Sequence, residues 1–275
     1  MIPYRFVKAK WLAIMIICLV LWTAITWVAF NKFGFAGFLL MIAVMIFVFL
    51  YLLVELLLRS VNQKHTDTMN FEQILNVVGF YTALQPKIPL FQLGRFAVAP
   101  DTAALYMHLL QLHKPETIVE LGSGTSTIIS GYMCQRNGKG RVIAIDDDEH
   151  WTQDTRNMLE THGLGENIEV RYAPLVPVEI DGRKFNWYDP KVLEDIKKID
   201  LLLVDGPKDS LDAGNRNPAL DLLADRLSEN AIVLADDTDR PKWKKKVYEW
   251  GEKNGFEVDA PYPNMHETLI LKRKK

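Results

Sequence analysis

The sequence predicts an α/β domain, a mostly parallel sheet with helices on both faces, preceded by a two-helix transmembrane hairpin. Three observations carry that prediction. Residues 1–58 hold Arg5, Lys8, Lys10 and Lys32 against the single acid Glu55, whereas the remaining 217 residues hold 28 basic and 33 acidic side chains. From residue 117 onward, short apolar strand patterns alternate with helical ones, the arrangement that builds a parallel sheet under helices. Between the first such strand and its helix lies VELGSGTST (119–127), a glycine turn able to approach a ligand closely.

In chain order, the front comes first. Residues 11–30 and 33–54 are uncharged, and each run is long enough to cross a hydrocarbon core of ~30 Å as a helix. A cleaved signal peptide is disfavoured because a second span follows the first at once. Arg5, Lys8 and Lys10 precede the first run, Lys32 lies between the runs, and Arg59 and Lys64 follow the second. That asymmetry places both ends of the hairpin and the following domain in the cytoplasm, as a multi-pass protein of the cell (inner) membrane. Trp11, Trp27, Phe33 and Tyr51 fall near the interfaces, and Glu55 can reach headgroups or Arg59.

Residues 59–100 read as a connector and acceptor-side segment, with an amphipathic helix near 71–81. The stretch 84–100 contains three prolines and should be extended. Asp101 is then placed as the N-cap of the next helix, and the globular domain runs over 101–275. Its strands are expected at 117–122, 141–146, 168–173, 199–205 and 231–237. Helices are expected at 126–137, 149–163, 218–229 and 241–255, with an irregular section and a short helix near 191–197. Two closing strands lie at 256–260 and 267–274. Ligands of such sheets bind beyond the carboxyl ends of the strands. The mildly acidic balance argues against a nucleic-acid binder with a broad basic face. Cys18 and Cys134 are too few for a disulfide framework and show no zinc-ligand spacing.

Gly122 and Gly124 allow the turn after the first strand, and Ser123 and Ser126 lie in the same loop. Glu120, two residues before the first glycine, would repel a pyrophosphate but suits a cofactor with a cationic amino-acid tail, such as S-adenosyl-L-methionine. The second strand ends at Asp146, about twenty residues on, where a carboxylate is suited to ribose hydroxyls. Asp147 is the second candidate, while Asp148 and Glu149 read as charge at a helix start. His150 reads as a helix-surface or adenine-side residue. Ala173, at the end of the third strand, completes the cofactor-side set.

Taken together, VAPDTAALYMHLL, KPETIVELGSGTST, APLVPVEIDGRKFNWYD, LLLVDGP, NRNPALDLLADRL and IVLADDTDR resemble bacterial class I S-adenosylmethionine-dependent methyltransferases, in particular the methyltransferase domain 24 group. The resemblance covers nearly everything after residue 71. It implies a Rossmann-like seven-stranded sheet with an antiparallel last strand. The strand-end acids also resemble those of metal-dependent catechol-type O-methyltransferases. On that resemblance Asp205, Asp236 and Asp237 match ligands of Mg2+ or another divalent cation, and Lys208 matches the basic lysine; Asp205 and Lys208 are the catalytic candidates. The second Asp of the pair stands where an Asn is common in that family. The alternatives are that Asp237 or Asp239 caps the helix starting at Pro241 and Asp205 only begins a tight turn, or that the acids serve catalysis without a metal. Trp187, Tyr188 and Asp189 read either as the lining of an acceptor pocket or as packing under a loop. Arg216 is read as pairing with an anionic acceptor or with Asp205.

These readings converge on a membrane-anchored methyltransferase that acts on a hydroxyl of a membrane-proximal acceptor, a lipid-linked or envelope glycan, a lipid or a small molecule. Its partners would be the lipid bilayer and that acceptor. The rivals are a catalytically silent cofactor-binding membrane scaffold and a nicotinamide-dependent oxidoreductase.

Overall fold

A computed structural model describes residues 4–90, 93–94, 97–208 and 214–274. The chain divides into two compact units, residues 1–68 and 69–275.

Helix α1 (Tyr4–Leu84) contains one break, at Gly34 (φ 63°, ψ −150°). The sequence placed the reversal at Asn31-Lys32, but a polar or charged side chain does not by itself end a helix. A backbone conformation open mainly to glycine does. Across the break a Cβ on Gly37 would lie 2.5 Å from the Ala29 carbonyl oxygen. Trp22 and Met45 line one cavity, and Phe30 meets Phe38 edge to face, so the two helical segments pack against each other there. Glu55 accepts from Arg59 Nε at 2.9 Å, as expected. The side chains of Arg5, Lys8, Lys10 and Trp11 fall outside the described set. The amphipathic stretch 71–81 is the end of α1 rather than a separate helix.

In the second unit, helix α2 (Pro100–His113) starts one residue before the predicted cap. Pro100, with its fixed φ, takes the first turn, so Ala99 is the N-cap. Asp101 instead ties segments together, accepting from Gln73 Nε2 and from Met265 N. There follow β1 (Thr117–Leu121), α3 (Thr125–Asn137), β2 (Arg141–Asp146), α4 (Glu149–His162) and β3 (Ile168–Tyr172). The section expected to be irregular is a hairpin, β4 (Leu175–Ile180) and β5 (Arg183–Tyr188). Asp181 and Gly182 both have positive φ, the two-residue turn that an Asp-Gly pair favours. The expected helix at 191–197 is a single 3-10 turn, Pro190–Leu193. Next come β6 (Ile199–Val204), a short α5 (Pro218–Leu223), β7 (Leu227–Ala235), α6 (Pro241–Lys253), β8 (Phe256–Val258) and β9 (Leu269–Arg273). β7 begins earlier than predicted because α5 stops after six residues.

The seven strands order as β3-β2-β1-β6-β7-β9-β8, with β9 antiparallel to both its neighbours. This is the α/β sheet anticipated, with its reversed last strand. Strand alternation divides the core into two layers. Val119, Leu121, Leu202 and Val204 face Trp243, Val247 and Trp250 of α6. Ile118, Val142, Leu201 and Leu203 face Tyr106 of α2 and Ile128, Ile129 and Met133 of α3. Glu120, two residues after Ile118, must therefore point into the α2–α3 layer.

Candidate active site

The carboxyl ends of β1, β2, β6 and β7 open into a cavity of about 740 Å³, within the size range of small-molecule sites. Its floor is the turn after β1. Gly122 (φ 100°) and Gly124 (φ 151°) hold conformations that L side chains rarely adopt. A Cβ on Gly124 would meet nothing within 4 Å, so the backbone there is bare toward whatever enters.

Asp146 organises the next edge. Its Oδ2 accepts from Ser123 N (2.8 Å) and Ser123 Oγ (3.0 Å), and its Oδ1 accepts from Asp148 N (3.0 Å). The three bonds fix the carboxylate and leave Oδ1 one acceptor site toward the cavity. Asp147 also lines the cavity; burial, then the neighbouring Asp146, pushes its pKa up, while Lys208 draws it down. Asp148 caps α4 by accepting from His150 N and Trp151 N. His150 is exposed beside Asp154, whereas Trp151 lines the cavity.

Two members of the expected cofactor set stand elsewhere. Ala173 is fully buried, with its N–H bound to the Asp146 carbonyl, and does not line the cavity. Glu120 lies behind the glycine turn, fully buried. Its Oε1 accepts from Tyr106 (2.9 Å) and Ser130 (2.5 Å), and its Oε2 from Ser126 and Thr127 (both 2.9 Å). Burial raises its pKa, and the four hydroxyls partly offset the rise. Ser126 touches both the cavity and Glu120, linking the buried acid to the lining. Sequence reading missed this cage, although Ser126 and Ser130, four apart, lie on one face of α3.

The opposite wall carries Asp205, Lys208, Arg216, Asp236, Asp237, Asp239, Arg240 and His266, with Ala97, Val98 and Ala99 of the connector at the rim. The acids are organised by a buried guanidinium. Arg216 Nη2 is 3.3 Å from Asp205 Oδ1 and 2.9 Å from Asp237 Oδ2. Its Nη2 and Nη1 also donate to the carbonyls of Asp205 (2.7 Å) and Asp236 (3.2 Å). Arg240 adds a second contact to Asp237 Oδ2 at 2.8 Å, and Asp236 Oδ1 accepts from Thr268 Oγ1 at 2.8 Å. Burial, then its neighbour Asp236, raises the Asp205 pKa well above the carboxylate range; burial and Asp237 bring Asp236 to about 6.

This arrangement does not fit the divalent cation expected on Asp205, Asp236 and Asp237. Among the described residues, the side chains that bring three ligand atoms within 4.8 Å of one another are Asp237, Asp239 and His266. Asp237, which both sets share, is already held by two guanidinium groups. The competing cation is Arg216, between β6 and α5, which takes the pairing with Asp205, one of its two expected partners.

Tyr188, at the end of β5, also lines the cavity; it is fully buried, and its hydroxyl has no hydrogen-bond partner among the described residues. A Cβ on Gly206 would overlap that hydroxyl. Gly206→Ala should therefore cost about 1–3 kcal/mol of stability, read by thermal unfolding. Adding Tyr188→Phe should recover part of it, and equal melting of Gly206→Ala and wild type would refute this packing.

Comparison with known proteins bears on the fold and on residues 119–238, which match the model of a methyltransferase-domain family. The chain is similar to the methyltransferase of Podospora anserina bound to S-adenosylhomocysteine (SAH), at 16% identity and TM-score 0.53, over 78% of this chain and 97% of that one. It is also similar to the Bacillus cereus O-methyltransferase in complex with SAH, at 16% identity and TM-score 0.50, over 74% and 91%. The precorrin-6y C5,15-methyltransferase of Geobacter metallireducens aligns at 15% identity and TM-score 0.50, over 66% and 92%. At these identities the likeness is one of fold. No curated protein matches in sequence.

Proposed function

From a chain whose residues 119–238 match a methyltransferase-domain family, we propose a class I S-adenosylmethionine-dependent methyltransferase that methylates a hydroxyl oxygen of an acceptor presented at a membrane surface. The observation that carries this reading is one cavity with two chemically distinct walls. Gly122, Ser123, Gly124, Asp146, Asp147 and Trp151 form a wall suited to a nucleoside with an amino-acid tail. The orphan hydroxyl of Tyr188 and the free acceptor site on Asp146 are polar groups that such a ligand would satisfy. S-adenosylmethionine supplies, when bound, a methyl carbon activated by its sulfonium.

The protein's own task is then to orient the acceptor and take its proton. Asp205 is the side chain we assign to that step. It lines the cavity and its Oδ1 is anchored by Arg216, so a carboxylate oxygen is held where an acceptor hydroxyl can donate its proton. Lys208, the other catalytic candidate, lies on the same wall, and its charge favours the Asp147 carboxylate, so we assign it to positioning.

The membrane part rests on the first unit. Helix α1 contains an uncharged apolar stretch long enough to cross a membrane, of which only 6% is buried. Side chains such as Trp27, Phe35 and Phe47 are about seven-tenths exposed. Apolar exposure on that scale calls for lipid around it. With the break at Gly34 the unit reads as two spans joined by a short turn, both ends cytoplasmic. SAH should bind the purified full-length chain in a calorimetric titration that shows no NAD binding. The chain should stay in the membrane fraction through alkaline carbonate, and protease added outside spheroplasts should leave the second unit intact. NAD binding in place of SAH, or rapid digestion, would reject the corresponding half of the proposal.

A further inference from the structure

We propose that Arg216 is the resident cation of the strand-end acid cluster, occupying the place where catechol-type relatives would be expected to hold a divalent metal ion, and that this site binds none. The inference deepens the methyl-transfer reading of the same cavity and rests on it only for its catalytic meaning.

The argument starts from sheet geometry. β6 and β7 are parallel neighbours, with Val204 opposite Ala235, so Asp205 and Asp236-Asp237 must emerge side by side. Adjacent carboxylates at partly buried strand ends repel unless a cation joins them. A divalent ion would need one oxygen from each of three acids near a single point. Here the carboxylates of Asp205 and Asp237 each make their closest cationic contact with Arg216 or Arg240, while Asp236 turns one oxygen to Thr268. Arg216 is 5% exposed and is locked by three backbone carbonyls, those of Asp205, Pro207 and Asp236. The planar guanidinium meets two carboxylates and three carbonyls at once, a fork that a spherical ion or a lysine ammonium does not reproduce. Placing a dication beside it would bring like charges together in a buried site. The function of the cluster therefore follows from the guanidinium. It keeps the Asp205 carboxylate in place at the cavity wall, making Arg216 a positioning residue whose contacts are with protein groups.

The test uses the full-length chain in detergent, freed of metal, titrated with Mn2+ while the free ion is followed by electron paramagnetic resonance. Wild type should leave the Mn2+ signal undiminished, as should Asp205→Asn. Arg216→Met, which vacates the cluster and leaves its acids unpaired, should take up about one Mn2+ per chain, and Arg216→Met/Asp205→Asn should lose most of that uptake. Stoichiometric Mn2+ binding by wild type that Asp205→Asn abolishes would overturn the proposal. A folded Arg216→Met variant with no Mn2+ uptake would overturn the claim that the arginine occupies a metal's place. If Arg216→Met does not fold, the wild-type and Asp205→Asn titrations still decide the matter. SAH titration of the same wild-type sample separates the two readings, since failure to bind SAH would reject the methyltransferase cavity and leave the Mn2+ result standing.

Discussion

Replacing Glu120 by alanine is expected to destabilise the second unit by roughly 3–5 kcal/mol, a large effect for one side chain. The carboxylate is fully buried and accepts from Tyr106, Ser126, Thr127 and Ser130. Removing it leaves buried hydroxyl groups without an acceptor, each costing about 1–3 kcal/mol. Tyr106 and Ser130, 2.8 Å apart, can still bond each other, which keeps the total below the sum. Thermal unfolding should show a drop on the order of 10 °C. Glu120→Gln should be milder, because the amide oxygen still accepts and the amide N–H groups can donate to hydroxyl lone pairs. A loss under about 1 kcal/mol for Glu120→Ala would show that the cage carries little energy. The pH dependence has a fixed sign. Burial raises the folded pKa above the ordinary 4.5, so this group's stability increment is fully present below about pH 4.5 and is lost as pH rises through the folded value. Glu120→Gln should lack that slope.

Asp146→Ala is expected to weaken SAH binding by roughly ten- to a hundredfold, the loss of one charge-assisted hydrogen bond of about 1.5–3 kcal/mol. The same variant also frees Ser123 N and Oγ and Asp148 N, so the glycine turn loses its tie to the end of β2. Asp146→Asn keeps one acceptor oxygen and should fall between wild type and Ala. Calorimetry decides the matter: unchanged SAH affinity in a folded Asp146→Ala variant would mean that the ribose wall lies elsewhere.

The sheet was legible in the sequence because its central parallel strands are short apolar runs, as in Thr117–Leu121, Arg141–Asp146 and Ile199–Val204. The hairpin Leu175–Tyr188 was expected to be irregular, because the prolines around it mask the alternation and the Asp181-Gly182 turn pair that mark it. The break in α1 was expected at a charge and occurred at a glycine, since backbone freedom and not polarity ends a helix there. The side chains that organise the site were harder to read. Tyr106 reaches Glu120, and Arg216 reaches Asp205 and Asp237, only through packing that brings distant segments together. Residue type alone could not say whether Arg216 faced a ligand or its own protein. The place of Glu120 two residues before the glycine turn suggests a ligand contact, whereas the alternation of β1 turns it inward.

β9 lies between β7 and β8 although it follows both in the chain. During synthesis β8 therefore emerges with no strand beside it, and the edge of β7 stays open until residues 269–273 have left the ribosome. That edge carries Val233, Leu234 and Ala235, the kind of apolar ladder that recruits strands from other chains. A chain truncated anywhere between residues 236 and 268 would thus expose a ready template for aggregation once released from the ribosome. Truncation within that window is where the released chain should depend most on holding chaperones.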